Sequence, residues 1–157
     1  MQLILMRHGE AEPYQANDAV RQLTSRGVAQ AHLTAQQVLK EYKPDLLVVS
    51  PYVRAQQTIA AFQEKIPHTP LHILDSITPD ADPRVALDDL AALHALNPAQ
   101  CIVVVCHMNV IAYMAGLLLD EDPESFALAE ARVLKQSEIL LGLSVETARF
   151  VPLVDHH

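Results

Sequence analysis

The sequence has no tryptophan, few other aromatic residues and only two cysteines. Aromatic residues make up 4% of its 157 residues, whereas apolar residues make up 50%. Aliphatic side chains must therefore fill the interior, and they are numerous enough to build a core without disulfides or bound metals. The length suits one domain, which we expect to span residues 1–157.

The two cysteines, Cys101 and Cys106, lie in one apolar run, AQCIVVVCH. An odd separation along a strand points two side chains to opposite faces, so a disulfide between them is not expected. Unpaired cysteines are typical of a reducing compartment. The short N-terminal apolar segment does not resemble a signal peptide, and no apolar run approaches the length of a membrane span. We therefore expect a cytoplasmic protein with no membrane partner.

Positive charge is also scarce. Eleven Lys and Arg residues stand against 19 Asp and Glu residues, which gives a formal net charge of −8. This acidity disfavours binding to nucleic acids or to anionic membrane surfaces, so we expect neither as a partner. It leaves room for a small local cluster of cations.

The pattern of apolar residues predicts an α/β protein. Near-continuous apolar runs are typical of strands that are buried on both faces, and they occur at Leu3–Met6, Asp45–Val49, Cys101–Cys106 and, more briefly, Leu71–Leu74. Helical spacing predicts helices after Thr24 or Ser25, over Val53–Glu64, from Pro83 to about Leu96 with Val85, Leu90 and Leu93, and after His107. The segment 132–154 has the alternation of two or three antiparallel strands, one of which could join the sheet edge. The expected fold is a three-layer sandwich, with a mostly parallel central sheet and helices on both faces.

Arginine and histidine follow the predicted strands where these end. Arg7 and His8 come directly after the first strand, Arg54 follows the second in SPYVRAQQT, and His107 follows the last apolar strand. Because the carboxyl ends of parallel strands meet at one edge of a sheet, these side chains should lie close together. Two guanidinium groups and two imidazoles at one place favour an anion, and phosphate suits the arginine fork best.

The histidines in such a site have two possible roles. A neutral imidazole is a competent nucleophile towards phosphorus, and neighbouring cations can stabilise the charge that develops on the phosphoryl oxygens. Metal ligation is the other role. It is disfavoured because the sequence has no HExxH pattern and no carboxylate cluster at ligand spacing, and because two arginines would repel a metal. Gly9 should let the backbone turn sharply and approach a ligand.

These motifs together resemble the histidine phosphatase superfamily, which has the phosphoglycerate mutase-like fold. The matching features are a strand followed by RHG, SPxxRAxQT in the middle of the chain and a strand-terminal His late in it. The start MQLILMRHGEAE, the DxxRxLTxxG segment from Asp18 to Gly27 and the short chain are similar in particular to the SixA-type phosphohistidine phosphatases. The resemblance covers residues 1–154.

The resemblance implies a role for each matching residue. His8 would be the nucleophile that becomes transiently phosphorylated, and the Gly9 carbonyl would orient its ring. Phosphate contacts would come from Arg7, Arg54, His107 and, in this branch, Arg21. No metal or organic cofactor is implied. Other roles are compatible with the residues alone. Arg21 could form a surface salt bridge, and Glu10 and Glu12 could be loop residues or partners of arginines. Ser50 could shape the turn.

A general acid is missing from the positions where many members of the superfamily carry one. Ser76 occupies the usual glutamate position, and Met108 follows the late histidine. Three aspartates lie nearby without fitting the pattern: Asp75, Asp80 and Asp82. An alkoxide leaving group needs a proton more than the imidazole of phosphohistidine does. The resemblance therefore implies a phosphohistidine substrate on a phosphorylated HPt domain of a hybrid sensor kinase, or on a phosphocarrier protein.

Two alternatives stay open at this point. One is a small-molecule phosphomonoesterase of the same superfamily, for which Asp75 or Asp80 would serve as the acid. The other is a non-catalytic module that binds phosphoproteins. We expect a monomer, and we expect activity to fall on acidification as His8 becomes protonated.

Overall fold

Six strands form one mixed sheet in the computed structural model, which describes residues 1–154. The strands are β1 (Gln2–Arg7), β2 (Leu46–Val49), β3 (Leu71–Ile73), β4 (Cys101–Cys106), β5 (Ala131–Lys135) and β6 (Val145–Phe150). The helices are α1 (Ser25–Glu41), α2 (Val53–Gln63), α3 (Pro83–Leu96) and α4 (Val110–Leu119), with a short 3-10 helix at Asp18–Val20. Asp155, His156 and His157, which have no functional assignment from the sequence, lie outside the described residues.

The sheet has the order β3-β2-β4-β1-β5-β6. The first four strands in this order are parallel, while β5 pairs antiparallel with β1 and β6 antiparallel with β5. This confirms the predicted α/β fold with a mostly parallel sheet and C-terminal antiparallel strands. Both C-terminal strands join the sheet, rather than one. Residues Ala131–Leu134 are all buried, and β5 lies between β1 and β6. Strand β6 forms the edge of the sheet and is partly exposed.

Helices cover both faces of the sheet, and the side chains of β1 alternate between them. Leu3 and Leu5 belong to the core cluster beneath α3 and α4, whereas Ile4 and Met6 belong to the cluster beneath α1 and α2. All four are fully buried. The same alternation places the two cysteines in different clusters, as their odd spacing predicted. Both thiols are buried and unpaired in the described chain.

The helices begin and end close to the predicted positions. The Thr24 hydroxyl accepts a hydrogen bond from the Gly27 N–H, which confirms the predicted cap of α1. Helix α3 buries a stripe that includes Leu87 and Leu90, but Val85 and Leu96 are 48% and 83% exposed because they lie off this stripe. Within residues 1–154, no helix has both the length and the apolar character needed to cross a bilayer.

The backbone ladder brings three strand ends to one edge of the sheet. The N–H of His8 donates to the carbonyl of Cys106 over 3.1 Å, and the N–H of Ser50 donates to the carbonyl of Val105 over 3.1 Å. The residues that follow β1, β2 and β4 are therefore held side by side. Helix α4 begins at Val110, so two residues separate it from His107.

Two glycines allow the first loop to pack directly against the start of α1. A Cβ atom on Gly9 would lie 2.4 Å from the carbonyl oxygen of Gly27, and a Cβ atom on Gly27 would lie 2.0 Å from that of Glu10. We expected Gly9 to allow a close approach to a ligand. The structure shows a close approach of this loop to the first turn of α1, where no side chain lies between the two backbones. The approach to a ligand stays a prediction.

This contact predicts that Gly27→Ala is destabilising although alanine favours helices. Overpacking against the Glu10 carbonyl should lower the free energy of unfolding by about 1–3 kcal/mol, measured by urea denaturation. Val28→Ala, at a 41% exposed position of the same turn, serves as the control and should change it by less than about 0.5 kcal/mol. A Gly27→Ala protein as stable as the wild type would contradict this packing.

Candidate active site

A cleft of about 660 Å³ opens at the edge where the strands end. Its lining includes Arg7, His8, Arg21 and Arg54. His107 lies behind them, with its ring centroid 5.1 Å from that of His8. The structure thus brings together the five charged or ionisable side chains that the sequence singled out.

His8 is held in a defined orientation and tautomer. Its Nδ1 atom lies 2.6 Å from the Gly9 carbonyl oxygen, so Nδ1 carries the proton and donates it there. Its Nε2 atom accepts a hydrogen bond from the Arg54 Nε–H over 3.3 Å. The Gly9 N–H donates to the Thr58 hydroxyl over 3.1 Å, so both backbone polar groups of Gly9 are engaged inside the protein. The lone pair of Nε2 is therefore on the side of Arg54.

His107 is oriented by Ser50. The His107 Nε2 atom lies 2.7 Å from the Ser50 hydroxyl oxygen, which also accepts the N–H of Tyr52 over 3.2 Å. The Tyr52 ring contacts the His107 ring edge-on, with 5.1 Å between centroids. The buried Nδ1 atom of His107 has no hydrogen-bond partner among the described residues. Ser50 thus does more than shape a turn, since it engages Nε2 and leaves the buried Nδ1 as the ring nitrogen of His107 without a partner among the described residues.

Arg54 and Arg21 share one carboxylate, that of Asp18. Arg54 is 3% exposed; it donates from Nη1 to the Asp18 carbonyl over 2.9 Å and from Nη2 to Asp18 Oδ2 over 3.0 Å. Arg21 donates from Nε to Asp18 Oδ1 over 3.1 Å and from Nη1 to the Glu12 carbonyl over 3.0 Å. Arg21 therefore forms the salt bridge that the sequence had left open as an alternative, and it also lines the cleft. Asp18 was missed as a site residue, although it lies in the DxxRxLT segment.

Arg7 and Glu10 complete the wall of the cleft. Arg7 donates from Nη1 to the Phe126 carbonyl over 2.8 Å, and its buried Nε has no partner among the described residues. Glu10 pairs with Arg26 over 3.3 Å and accepts the Thr24 hydroxyl over 3.0 Å. The structure therefore confirms Glu10 as an arginine partner.

Burial keeps both imidazoles neutral. It is the largest influence on His8, whose pKa falls to about 4 although the Gly9 hydrogen bond opposes the change; the charges of Arg54 and Arg7 lower it further. Burial likewise lowers the pKa of His107 to about 2, assisted by His8 and then by Arg54. Loss of water thus lowers both pKa values more than the neighbouring charges do.

The three candidate acids lie in different surroundings. Asp80 lines the cleft. The Asp82 carboxylate accepts the N–H of Arg84 and caps α3, while Asp75 is exposed and absent from the lining of the cleft. Of the three, Asp80 alone is placed to meet a ligand in the cleft.

A second cavity, of about 760 Å³, lies at the end of α4 and is lined by Asp120, Glu121 and Asp122. No histidine lines it, and one arginine, Arg84, does. Within residues 1–154, no group of three or more His, Cys, Asp or Glu side chains is arranged to hold a metal ion. The residues suited to binding phosphate are those of the first cleft.

Comparison with known proteins finds relatives that match most of the chain. The family model of the histidine phosphatase superfamily (branch 1) matches residues 3–78. The phosphohistidine phosphatase SixA of Escherichia coli is 33% identical over 80% of this chain and 80% of its own. A SixA homolog of Haemophilus influenzae is 31% identical over 90% and 94%. A solved structure of the protein histidine phosphatase SixA with tungstate superposes with a TM-score of 0.85 at 26% identity, covering 97% of both chains.

The burial of the two imidazoles predicts how they titrate. In the folded protein we expect His8 and His107 to stay neutral down to about pH 5, with Nδ1 of His8 protonated, because both pKa values lie below the ordinary value of about 6.5. Ring ¹⁵N NMR during a pH titration measures this, with His8→Ala and His107→Ala assigning the signals. The urea-unfolded protein is the control and should titrate near the ordinary value. A charged His8 ring at pH 6 would be the contrary result.

Proposed function

The chain belongs to the histidine phosphatase superfamily, and from this premise we propose that it removes phosphate from phosphohistidine on a phosphorelay protein. The relatives that carry the name phosphohistidine phosphatase match most of the chain at 33% and 31% identity. The observation that carries the proposal is the neutral, buried His8, whose Nε2 faces Arg54 within a cluster of arginines.

The first step is attack by His8 on phosphorus. A bond forms between Nε2 and phosphorus while the bond from phosphorus to the substrate imidazole breaks, and that imidazole leaves in neutral form if its other nitrogen is already protonated. Transfer to a side chain divides one displacement into two easier ones. The Gly9 carbonyl, 2.6 Å from Nδ1, stabilises the positive charge that the phosphorylated ring acquires.

Water then attacks phosphorus, breaks the bond to Nε2 and releases inorganic phosphate. In both steps the phosphoryl oxygens are held by Arg7, Arg21, Arg54 and His107. Arg54 already lies 3.3 Å from the nucleophilic nitrogen, so its guanidinium stands beside the arriving phosphoryl group. The unpartnered Nδ1 of His107 supplies a donor when Nε2 accepts the Ser50 hydroxyl proton. As Nε2 attacks, it gives up the hydrogen bond from the Arg54 Nε–H, which passes to a phosphoryl oxygen. Donors already held beside the phosphoryl group stabilise the charge of the transition state with little rearrangement.

A phosphohistidine substrate fits a site with few acids. Its imidazole can depart without a proton from the enzyme, whereas an alkoxide cannot. A phosphorylated HPt domain or a phosphocarrier protein would present this group at its surface. Tyr14, 76% exposed, stands at the rim of the cleft where such a partner would arrive. The monomeric state and the cytoplasmic location stay predictions from the sequence.

A small-molecule phosphomonoesterase is the second candidate. It is favoured by one observation: Asp80 lines the cleft and could protonate an ester leaving group. The non-catalytic binding module has weaker support, because a site that only binds phosphate has no need of a neutral imidazole with its lone pair turned into the arginine cluster.

Phosphate release from a phosphohistidine HPt domain is the direct test. We expect faster turnover of this protein substrate than of a panel of small phosphomonoesters. The alkoxide that leaves an ester needs a proton from a general acid, and the imidazole that leaves phosphohistidine does not. His8→Ala should abolish turnover, and trapped phospho-His8 should be detectable by ³²P labelling of the wild type. Faster turnover of esters, lost in Asp80→Asn, would favour the second candidate. Tight binding of the phosphoprotein without turnover, unchanged in His8→Ala, would favour the binding module.

The same mechanism predicts a shifted pH profile. Because a protonated His8 has no lone pair, kcat/KM should hold to about pH 5 and fall to half near pH 4, following the pKa of His8 of about 4. Phosphohistidine hydrolyses spontaneously in acid, so the His8→Ala protein provides the blank, and circular dichroism confirms an intact fold at each pH. A fall centred near the ordinary imidazole value would show that burial does not set this pKa.

A further inference from the structure

We propose that Asp18 is a positioning residue, which aligns Arg54 and Arg21 for the phosphoryl group. The proposal rests on the proposed function, because it concerns how the arginines of that site are held. Asp18 belongs to the 3-10 helix Asp18–Val20, which lies between β1 and α1 in the chain.

One residue engages both guanidinium groups. The two oxygens of the Asp18 carboxylate go to different arginines: Oδ2 accepts from Arg54 Nη2 over 3.0 Å, and Oδ1 accepts from Arg21 Nε over 3.1 Å. The Asp18 carbonyl accepts from Arg54 Nη1 over 2.9 Å and from the backbone N–H of Arg21 over 3.2 Å. Each arginine is thus fixed to Asp18 at two points.

The burial of Arg54 makes these contacts more consequential than those of a surface ion pair. Its side chain is 3% exposed, whereas that of Asp18 is 32% exposed. The other contacts of Arg54 are the neutral His8 and the Tyr52 ring, 5.0 Å from the guanidinium carbon. Asp18 is therefore the anionic partner of a buried guanidinium, and removal of one partner from such a pair leaves the other charge uncompensated.

The local chain geometry explains why this residue can serve both arginines. Asp18 and Arg21 are three residues apart, and the 3-10 turn between them puts both side chains over one edge of the cleft. Arg54 reaches the same turn from the first turn of α2. The DxxR spacing in the sequence therefore encodes a contact between two parts of the phosphate site.

The consequence is preorganisation of the donors. Arg54 has its Nε–H at His8 Nε2, and the contacts of Nη1 and Nη2 with Asp18 prevent the guanidinium from rotating away. When Nε2 attacks, the Nε–H is released to a phosphoryl oxygen, and a guanidinium that is already in place stabilises developing charge with little rearrangement. If Asp18 instead competed with phosphate for the arginines, removal of its charge would strengthen phosphate binding. The two roles therefore predict opposite changes in phosphate affinity.

Calorimetric binding of inorganic phosphate and tungstate to Asp18→Asn tests the proposal without requiring turnover. The amide keeps the shape of the carboxylate but loses its charge, and we expect both anions to bind about 10- to 100-fold more weakly. Glu10→Gln is the matched control. Glu10 lines the same cleft and is also 32% exposed, but it pairs with Arg26 rather than with the phosphate-site arginines, so its loss should change affinity less than about threefold.

Three further measurements separate alignment from a merely structural role. The Arg54 Nε–H signal in NMR should shift and exchange faster with water in Asp18→Asn, but not in Glu10→Gln. Asp18→Glu keeps the charge at a longer reach, so it should fold and still bind phosphate more weakly. With a phosphohistidine protein as substrate, kcat should fall along with any rise in KM, because the alignment acts in the transition state.

Equal or tighter anion binding by Asp18→Asn or by Asp18→Glu would overturn the proposal. Wild-type protein that binds phosphate but does not release it from phosphohistidine would refute the proposed function and leave the anion comparison valid. Wild-type protein that binds neither phosphate nor tungstate would overturn both.

Discussion

Positively charged and ionisable side chains lie close together at the carboxyl edge of the sheet, so the site depends on limiting the repulsion between them. Three arginines and His8 line one cleft, and the ring of His107 lies behind them, 5.1 Å from that of His8. Burial removes the charge from both histidines, because their pKa values fall to about 4 and about 2. What is left is a set of fixed guanidinium charges around an uncharged nucleophile. The proposed function uses this combination, since the cations would attract a phosphoryl group that the neutral His8 then attacks.

The backbone of the fold holds these groups in place. Parallel pairing of β1, β2 and β4 sets the strand ends side by side, and the backbone contact between Gly9 and Gly27 seats α1 beneath the first loop. Behind the cleft, two hydroxyl groups orient the histidine rings. Ser50 holds His107, and Thr58 holds the Gly9 backbone that in turn holds His8. Each hydroxyl is fully buried, so its position is fixed by packing.

Much of this could be predicted from residue patterns. The apolar runs predicted the four parallel strands, and the arginines and histidines that follow them are side chains that the structure brings together at the sheet edge. The place of β5 beside β1, and the exposure of Val85 and Leu96, could not be predicted. Those depend on which faces meet after folding, and local periodicity does not contain that information. Asp18 was missed for a similar reason: an aspartate in a loop is ordinarily a solvated residue.

The sequence by itself determined the chemistry available to this protein: the strand-terminal Arg7, His8 and His107, the SPxxRAxQT segment and the spacing of Asp18 and Arg21. These choices are local, since strand ends and short motifs are set by neighbours in the chain. The tertiary structure alone decided how that chemistry is tuned. Burial at the sheet edge lowers the histidine pKa values, and the Ser50 hydroxyl forms a hydrogen bond with Nε2 of His107. Asp18 joins two arginines that are 33 residues apart in the sequence. Dielectric environment and long-range hydrogen bonds arise only when distant segments are packed together.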